Sequence, residues 1–327
     1  MTRIVFSRDD DLLAVRFARS PAWETHLAVR ALVDERARLH HEPWIDAVRS
    51  AAARLELDPL LAINPPTGWV PDFVTPPPLH PSPTLGEQLE QIRATPTRQV
   101  EEELERCLSS NPAGPHRAVL ESLVANPEGA RELLAARTRQ AWDALVAPFW
   151  PRIDALIDAD IGYRSRVLVG RGLGGVLDDL NPRIRWADGA VDVADSSTIE
   201  VALAGRGLVL MPSAFAWPIV AAIVDPPWQP TLVYPARGVA ALWATPCPPA
   251  QALAKLLGPT RALLLVQLDQ AASTTALADR HGRSTSGVSG HLLALRDAGL
   301  ITATRHGHEL RYARTRLGTA LVRAATA

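Results

Sequence analysis

Residues 284–291 read Ser-Thr-Ser-Gly-Val-Ser-Gly-His. Hydroxyls and an imidazole donate to phosphate oxygens and base edges. A glycine removes the Cβ that would hold two surfaces apart. Arg283 stands just before this run, where a helix N-terminus already favours an anion. Arg305, His306, Arg311 and Arg314 follow downstream, and arginine makes bidentate pairs with phosphate and guanine. The chemistry implied is contact with double-stranded DNA. The residues assigned to it are Arg283, Ser284, Thr285, Ser286, Ser289, Gly290, His291, Arg305, His306 and Arg311.

Other groups suggest other chemistry. Gly170-Arg171-Gly172-Leu173-Gly174-Gly175 contains G-x-G-x-x-G, which binds a dinucleotide only between a strand and a helix of a βαβ unit. Residues 154–166 read instead as a helix running into the glycines, so a helix break is expected and no cofactor. Glu101-Glu102-Glu103 with Glu105 reads as a solvated helix face before an acid/base site. His306-x-His308 has metal-pair spacing, but turn histidines beside arginines more often meet phosphate or solvent. No metal is expected. No Gly-x-Ser-x-Gly, His-Glu-x-x-His or P-loop occurs, and no nucleophile–base pair stands out. An enzyme is therefore not expected.

Nine of the aromatic residues are Trp, against five Phe and three Tyr. Trp186, Phe215, Trp217, Trp228, Tyr234 and Trp243 fall in one strand-like stretch. They are candidates for an apolar pocket that takes an apolar or aromatic small molecule. Ordinary core packing is the competing reading.

These residues need elements to hold them. Thr260–Leu268 is expected to be helical, as is Ala276–Arg280 behind Ser273-Thr274-Thr275. Ser284-Thr285-Ser286 caps a longer helix that Gly299 closes. Val288, Leu292 and Leu295 form its buried stripe, with Ser286, Gly290 and Ala294 opposite. Two exposed helical glycines cost about 1 kcal/mol each relative to Ala, and close approach to a partner is one reason to keep them. Residues 301–305 and 310–314 are expected to pair as a hairpin, followed by a helix over 315–325. Helix, helix, turn, helix, hairpin, helix is the order of a winged helix-turn-helix.

Upstream, residues 2–7 read as a strand and Ser7 starts a helix to about Arg19. Ser20-Pro21 starts a second helix reaching about Arg38, and residues 44–57 a third. Residues 58–83 hold too many prolines for regular structure and read as an ordered crossing loop. Helices are expected over 84–94, 97–109, 114–125, 126–148 and from Pro151 onward. Short strands are expected at 184–186, 191–193, 199–203, 208–211, 231–234 and 239–243. The fold class expected is α+β. A mainly helical part (1–180) and a strand-rich segment (181–245) make a regulatory domain over 1–248. A winged helix-turn-helix domain follows over 249–327.

Length and charge fit this division. At ~150 residues per domain, 327 residues suggest two domains. Residues 251–327 carry ten Lys/Arg and four Asp/Glu, whereas residues 1–250 carry 24 and 31. A basic end on an acidic body suits a polyanion partner at that end. No apolar run is long enough for a membrane span, and no signal peptide is evident. Two cysteines, Cys107 and Cys247, make no disulfide framework, so a reducing cytoplasm is the expected compartment.

Residues 273–314 resemble the ArsR-type winged-helix regulators. The resemblance lies in Thr275-Ala276-Leu277-Ala278, in Ser286-Gly287-Val288-Ser289-Gly290-His291-Leu292 and in Leu295-Arg296-Asp297-Ala298-Gly299-Leu300-Ile301. The whole chain is similar to longer regulators of this type from high-GC bacteria, through Ser20-Pro21-Ala22-Trp23-Glu24 and Asp225-Pro226-Pro227-Trp228-Gln229-Pro230. The resemblance implies a homodimer joined through the outer helices (about 251–268 and 315–325), and repression relieved by an effector. Metal-sensing members carry a Cys-x-Cys-type motif where this chain has Thr274–Arg280, which holds no Cys. A Cys-based metal sensor is therefore not expected. The alternatives are an enzyme, or a protein-interaction module, with an appended winged helix.

Overall fold

The computed structural model describes residues 1–65, 69–111, 114–195, 198–243, 249–268, 271–280, 284–306 and 309–325. The chain is mixed α/β and divides into two compact units, Met1–Trp243 and Ala244–Ala327. No helix among the described residues is long and apolar enough to cross a membrane.

The first unit begins β1 (Thr2–Val5), α1 (Asp9–Leu13), β2 (Val15–Phe17), α2 (Pro21–Ala31), α3 (Glu35–Ala52) and α4 (Asp58–Ala62). It continues α5 (Leu85–Ala94), α6 (Thr97–Ser110), α7 (Arg117–Ala125), α8 (Pro127–Ala141) and α9 (Trp150–Asp178). Then come β3 (Ile184–Ala187), β4 (Ala190–Val193), β5 (Ile199–Ala202), β6 (Leu208–Ser213), β7 (Ala221–Ile223), β8 (Thr231–Pro235) and α10 (Val239–Leu242).

Local chemistry explains most helix starts. Ser20 accepts from the Trp23 N–H with Pro21 in the first helical position, and Thr84 and Glu87 form a capping box. Asn126 accepts from the Gly129 N–H ahead of α8. Helix α2 is buried on nearly every side and forms the axis of the first core, which also holds Trp44, Phe73, Leu89 and Leu134.

Two sheets complete the unit. One has the order β3-β4-β1-β5, and the other β2-β6-β8-β7 with β2, β6 and β8 parallel. Strand β6 is buried along its whole length, as a central parallel strand must be. A second core of Ile4, Val191, Leu208, Leu210 and Tyr234 closes against Val176 and Leu177 of α9.

Several expectations are corrected. The helix from Ser7 stops at Leu13, and Val15–Phe17 forms a strand, because it pairs with Leu208–Leu210 far along the chain. The helix from Ser20-Pro21 ends at Ala31 and does not reach residue 38; residues 35–38 instead open α3, which runs through Pro43 into the stretch expected to start at Trp44. Residues 239–242 are helical, not a strand. Strands thus occur within 1–180, and a helix within 181–245. The glycines at 170–175 lie in α9, whose backbone breaks at Gly172 (φ 69°). Val167–Val169, the strand a dinucleotide site needs, is helical. Gly174 has a packing role, since a Cβ there would fall 2.9 Å from the Trp186 ring.

The second unit runs α11 (Pro249–Leu257), α12 (Pro259–Gln267), β9 (Ala272–Ser273), α13 (Thr274–Arg280), α14 (Thr285–Asp297), β10 (Ile301–His306), β11 (Glu309–Arg314) and α15 (Arg316–Ala324). Its sheet has the order β10-β11-β9 and is antiparallel. Gly299 (φ 70°) ends α14: its N–H reaches Arg296 O at 2.8 Å, and the Leu300 N–H reaches Leu295 O at 3.0 Å. That pair of bonds is a Schellman cap. The core is Leu264, Leu265, Leu277, Val288, Leu292, Leu295, Ile301 and Tyr312.

Candidate functional site

In α14 the stripe of Val288, Leu292 and Leu295 is buried, at 0, 0 and 1% exposure. The other side of the first turns is open: Ser284, Thr285, Ser286, Gly287 and Gly290 are exposed, and Ser289 and His291 are half-buried. Nothing lies within 4 Å of where a Cβ on Gly290 would sit. Neither helix packing nor backbone conformation within the unit therefore requires a glycine there. Ser284 does a structural job first. Its Oγ accepts from the Gly287 N–H at 3.2 Å and lies 3.3 Å from the Ser286 hydroxyl, so it caps the helix. Thr285, Ser286, Ser289 and Gly290 then fall on the first two turns, beside the positive end of the helix dipole.

The hairpin places the second group. Arg305 is paired with Leu310, and Thr304 with Arg311. Side chains alternate along each strand, so Arg305 and Arg311 flank the ribbon from opposite faces. Both are exposed. Arg314 instead turns inward and donates from Nε to Leu268 O at 3.2 Å. His306 is the last residue of β10. Arg283 and His308 lie outside the described residues.

The six candidate pocket residues do not converge. Phe215 and Trp243 pack with Trp44 and His41 in the first core, with ring centroids 4.6–6.2 Å apart. Trp186 meets Phe6 edge-on at 5.0 Å in the second core. Tyr234 is fully buried and donates to Asp160 Oδ2 at 2.9 Å, beside the buried Asp160–Arg164 pair. Trp217 is 40% exposed and stacks on His40. The Trp228 indole N–H donates to Glu103 Oε1 at 2.9 Å. They are neighbours in sequence, but successive stretches of this segment feed different cores. The aromatic cluster is core and surface packing, not one pocket.

Glu103 also departs from expectation. Glu101, Glu102 and Glu105 are exposed, as a solvated face requires. Glu103 instead accepts from the Phe73 N–H at 2.8 Å as well as from Trp228. The loop Asp225–Pro230 is pinned three times: Trp228 to Glu103, Asp225 to Arg106 at 2.5 Å, and Gln229 to Arg16 at 2.8 Å. No cluster of three or more His, Cys, Asp or Glu suited to a metal ion occurs among the described residues. Cys107 is a buried free thiol whose pKa burial pushes up to about 11, so it is a poor nucleophile.

A cavity of about 390 Å³ lies elsewhere in the first unit. Its walls are Trp23, His26, Leu27 and Arg30 of α2, then Asn64, Trp69, Val70, Asp72 and Thr75, and Ile219–Ile223 up to and including β7. Sequence reasoning missed it, because the three walls are far apart in the chain. The only local signal was Trp23 in the Ser20–Glu24 phrase.

No curated protein and no solved structure matches the chain. Residues 94–240, from the end of α5 into α10, match a family model described as a family of unknown function (DUF5937).

Proposed function

We propose that this protein is a DNA-binding transcriptional regulator. In this reading residues 249–327 are a winged helix-turn-helix of the ArsR type, α14 is the recognition helix and β10–β11 the wing. The observation that carries the reading is α14 itself. One face is buried on the core. The other offers hydroxyls, an imidazole and an unneeded glycine at the helix N-terminus. A buried scaffold holding a small, polar and unobstructed first turn suits the major groove. Arg305 and Arg311 on the ribbon suit backbone phosphates or the minor groove.

A homodimer fits the outer helices. Leu256 of α11 and Leu317 of α15 are 71% and 58% exposed, on helices that pack against each other. Their outward position gives that pair of helices an apolar outer face. The first unit is the sensor in this reading, and an effector shifts the DNA-binding equilibrium only by its differential affinity for the two states.

The test is fluorescence anisotropy of the full chain on the DNA upstream of its own coding region, against random DNA of equal length, at two salt concentrations. Preference for the upstream DNA by ~10³-fold, weakening as salt rises, is expected. Equal affinity for both DNAs would remove sequence-specific regulation.

A further inference from the structure

The cavity beneath α2 is half open, and its walls mix apolar surface with acceptors that nothing among the described residues uses. Trp23, Leu27, Trp69 and Ile223 supply the apolar part. The Trp23 indole N–H and His26 Nδ1 have no accessible surface and take no part. Three other side chains on the wall differ. The Asp72 carboxyl makes no hydrogen bond and no ion pair among the described residues, and its oxygens are not sealed off. Asn64 is 3% exposed; its Nδ2 donates to His26 O at 2.7 Å, which leaves Oδ1 open and without a donor. Thr75 is 2% exposed, and its hydroxyl is also open and unpartnered among the described residues. Buried polar groups are nearly always paired, so three left open on one wall call for a partner.

The chemistry of these groups is one-sided. A carboxylate and an amide oxygen accept and cannot donate, so whatever meets them brings N–H or O–H donors. The charge has one sign as well. Arg30, the single Lys or Arg on the wall, is held by Asp34 at 3.6 Å. The His26 ring stays neutral because burial lowers its pKa to about 4. Glu103, near Asp72, is bound by neutral donors: the Phe73 N–H, the Trp228 indole and the Gln99 amide. Asp225 is matched by Arg106. Burial, with Glu103 and Asp225 adding to it, pushes the Asp72 carboxyl well above the usual range. A cation seated beside Asp72 would relieve this, and no cation among the described residues is paired with it.

The geometry points to a site in this cavity for a small protonated primary amine with an apolar body, its ammonium paired with the Asp72 carboxylate. An ammonium brings three donors, and Asn64 Oδ1 and Thr75 Oγ1 are the further acceptors on the wall. Trp23, Leu27 and Trp69 receive the apolar body, and Arg106, 4.3 Å from the Trp69 ring centroid, holds that ring in place. The volume lies in the range of small-molecule pockets. That this amine is the regulator's effector rests on the proposed function; that the cavity takes it does not.

The experiment is calorimetry on the full chain without DNA, so it stands or falls apart from the regulator reading. The probes are 2-phenylethylamine and tryptamine. 2-Phenylethanol and phenylacetate keep the apolar body and replace the cation by a neutral hydroxyl and by an anion. Saturable binding of at least one amine at one site per chain is expected, at least tenfold tighter than either control. Asp72→Asn keeps the shape and removes the charge, and should weaken amine binding about tenfold or more. Since that carboxyl bonds nothing among the described residues, the variant should unfold at no lower temperature than the wild type. Glu101→Gln removes a charge from the exposed face of α6 and should leave binding unchanged. Val70→Trp fills the space and should abolish binding; if it does not fold, Ile219→Trp fills the space from another wall. Failure of both amines to bind overturns the site. So does equal binding of the alcohol or the acid, binding that Asp72→Asn leaves unchanged, or binding that survives the filled cavity.

Discussion

The indole N–H of Trp243 donates to Nδ1 of His41 across 2.8 Å. The bond ties the last residue of the first unit to α3, 202 residues earlier. Because Nδ1 accepts, the His41 proton sits on Nε2, which is buried without a partner among the described residues. Burial, with His40 adding to it, lowers the His41 pKa to about 4, so the ring remains neutral and the bond survives at neutral pH. Phe215 and Trp44 complete the aromatic enclosure.

Trp243→Phe keeps most of the ring and leaves Nδ1 unmet. It should cost about 1–3 kcal/mol. His41→Phe removes both polar atoms of the imidazole and strands the indole instead. The double variant should cost less than the sum of the two, because it leaves neither group unpaired. Urea unfolding of the four proteins measures this cycle, and additive costs would mean that the bond carries no coupling.

Three buried groups make the stability of the first unit depend on pH. His26 and His41 are held neutral down to about 4, against an ordinary value of 6.5. As pH falls through that window the unfolded chain takes up protons that the folded chain refuses, so stability is lost on acidification. Glu24 acts in the opposite sense. Burial raises its carboxyl from 4.5 to about 7, against the hydrogen bonds from Ser213 and from the Ala214 and Phe215 N–H groups. The folded chain therefore keeps a proton that the unfolded chain releases, and this contribution falls as pH rises from about 4.5 to 7. Where the windows overlap, two imidazoles oppose one carboxyl. Glu24→Gln removes the opposing proton and should steepen the acid loss between pH 5 and 6.5 by about 1.4 kcal/mol per pH unit. Urea midpoints across that range measure it, and an unchanged slope would show Glu24 ionised in the folded protein.

How far the residues announced this structure depends on how local the cause is. Thr84-x-x-Glu87, Ser20-Pro21 and Asn126-Pro127 mark helix starts through bonds made within four residues, and each start is where the sequence places it. The Val288, Leu292, Leu295 stripe was legible for the same reason. Val15–Phe17 was not, since its partner is almost 200 residues away. Nor could periodicity tell that Trp186 joins Phe6 while Trp243 joins His41, because core membership is set by sheet order. The cavity beneath α2 was illegible for that reason too. By sequence alone Glu103 is indistinguishable from its acidic neighbours, although its place on the inner side of α6 lets it hold Trp228.

Two glycines of the second unit should respond in opposite ways to the same change. A methyl group on Gly290 meets nothing within 4 Å. Gly290→Ala should stabilise the unit by about 0.8–1 kcal/mol through helix propensity alone. A methyl group on Gly318 would fall 2.1 Å from Leu300 O, the carbonyl that also accepts from the Thr315 N–H at 3.1 Å. Gly318→Ala must push α15 outward and should cost about 1–3 kcal/mol. Thermal unfolding separates the two. Under the proposed function the more stable Gly290→Ala protein also binds operator DNA more weakly, a split that a purely structural glycine would not produce.

Under the proposed function the residues that face DNA divide by task. Arg305 and Arg311 flank the hairpin ribbon from opposite faces, and under the proposed function they hold backbone phosphates. Replacing either with Ala should weaken binding to all sequences alike. It should also reduce the steepness of log affinity against log salt by ~1, the counterion share of one phosphate. Ser289 sits in the second turn of α14, on the side that leads away from the buried stripe. Ser289→Ala removes a hydroxyl and no charge, so it should lower the preference for the upstream DNA over random DNA and leave the salt slope unchanged. Anisotropy titrations at four salt concentrations on both DNAs give slope and preference together. Equal slopes for wild type and Arg305→Ala, or a preference untouched by Ser289→Ala, would remove the corresponding residue from the interface.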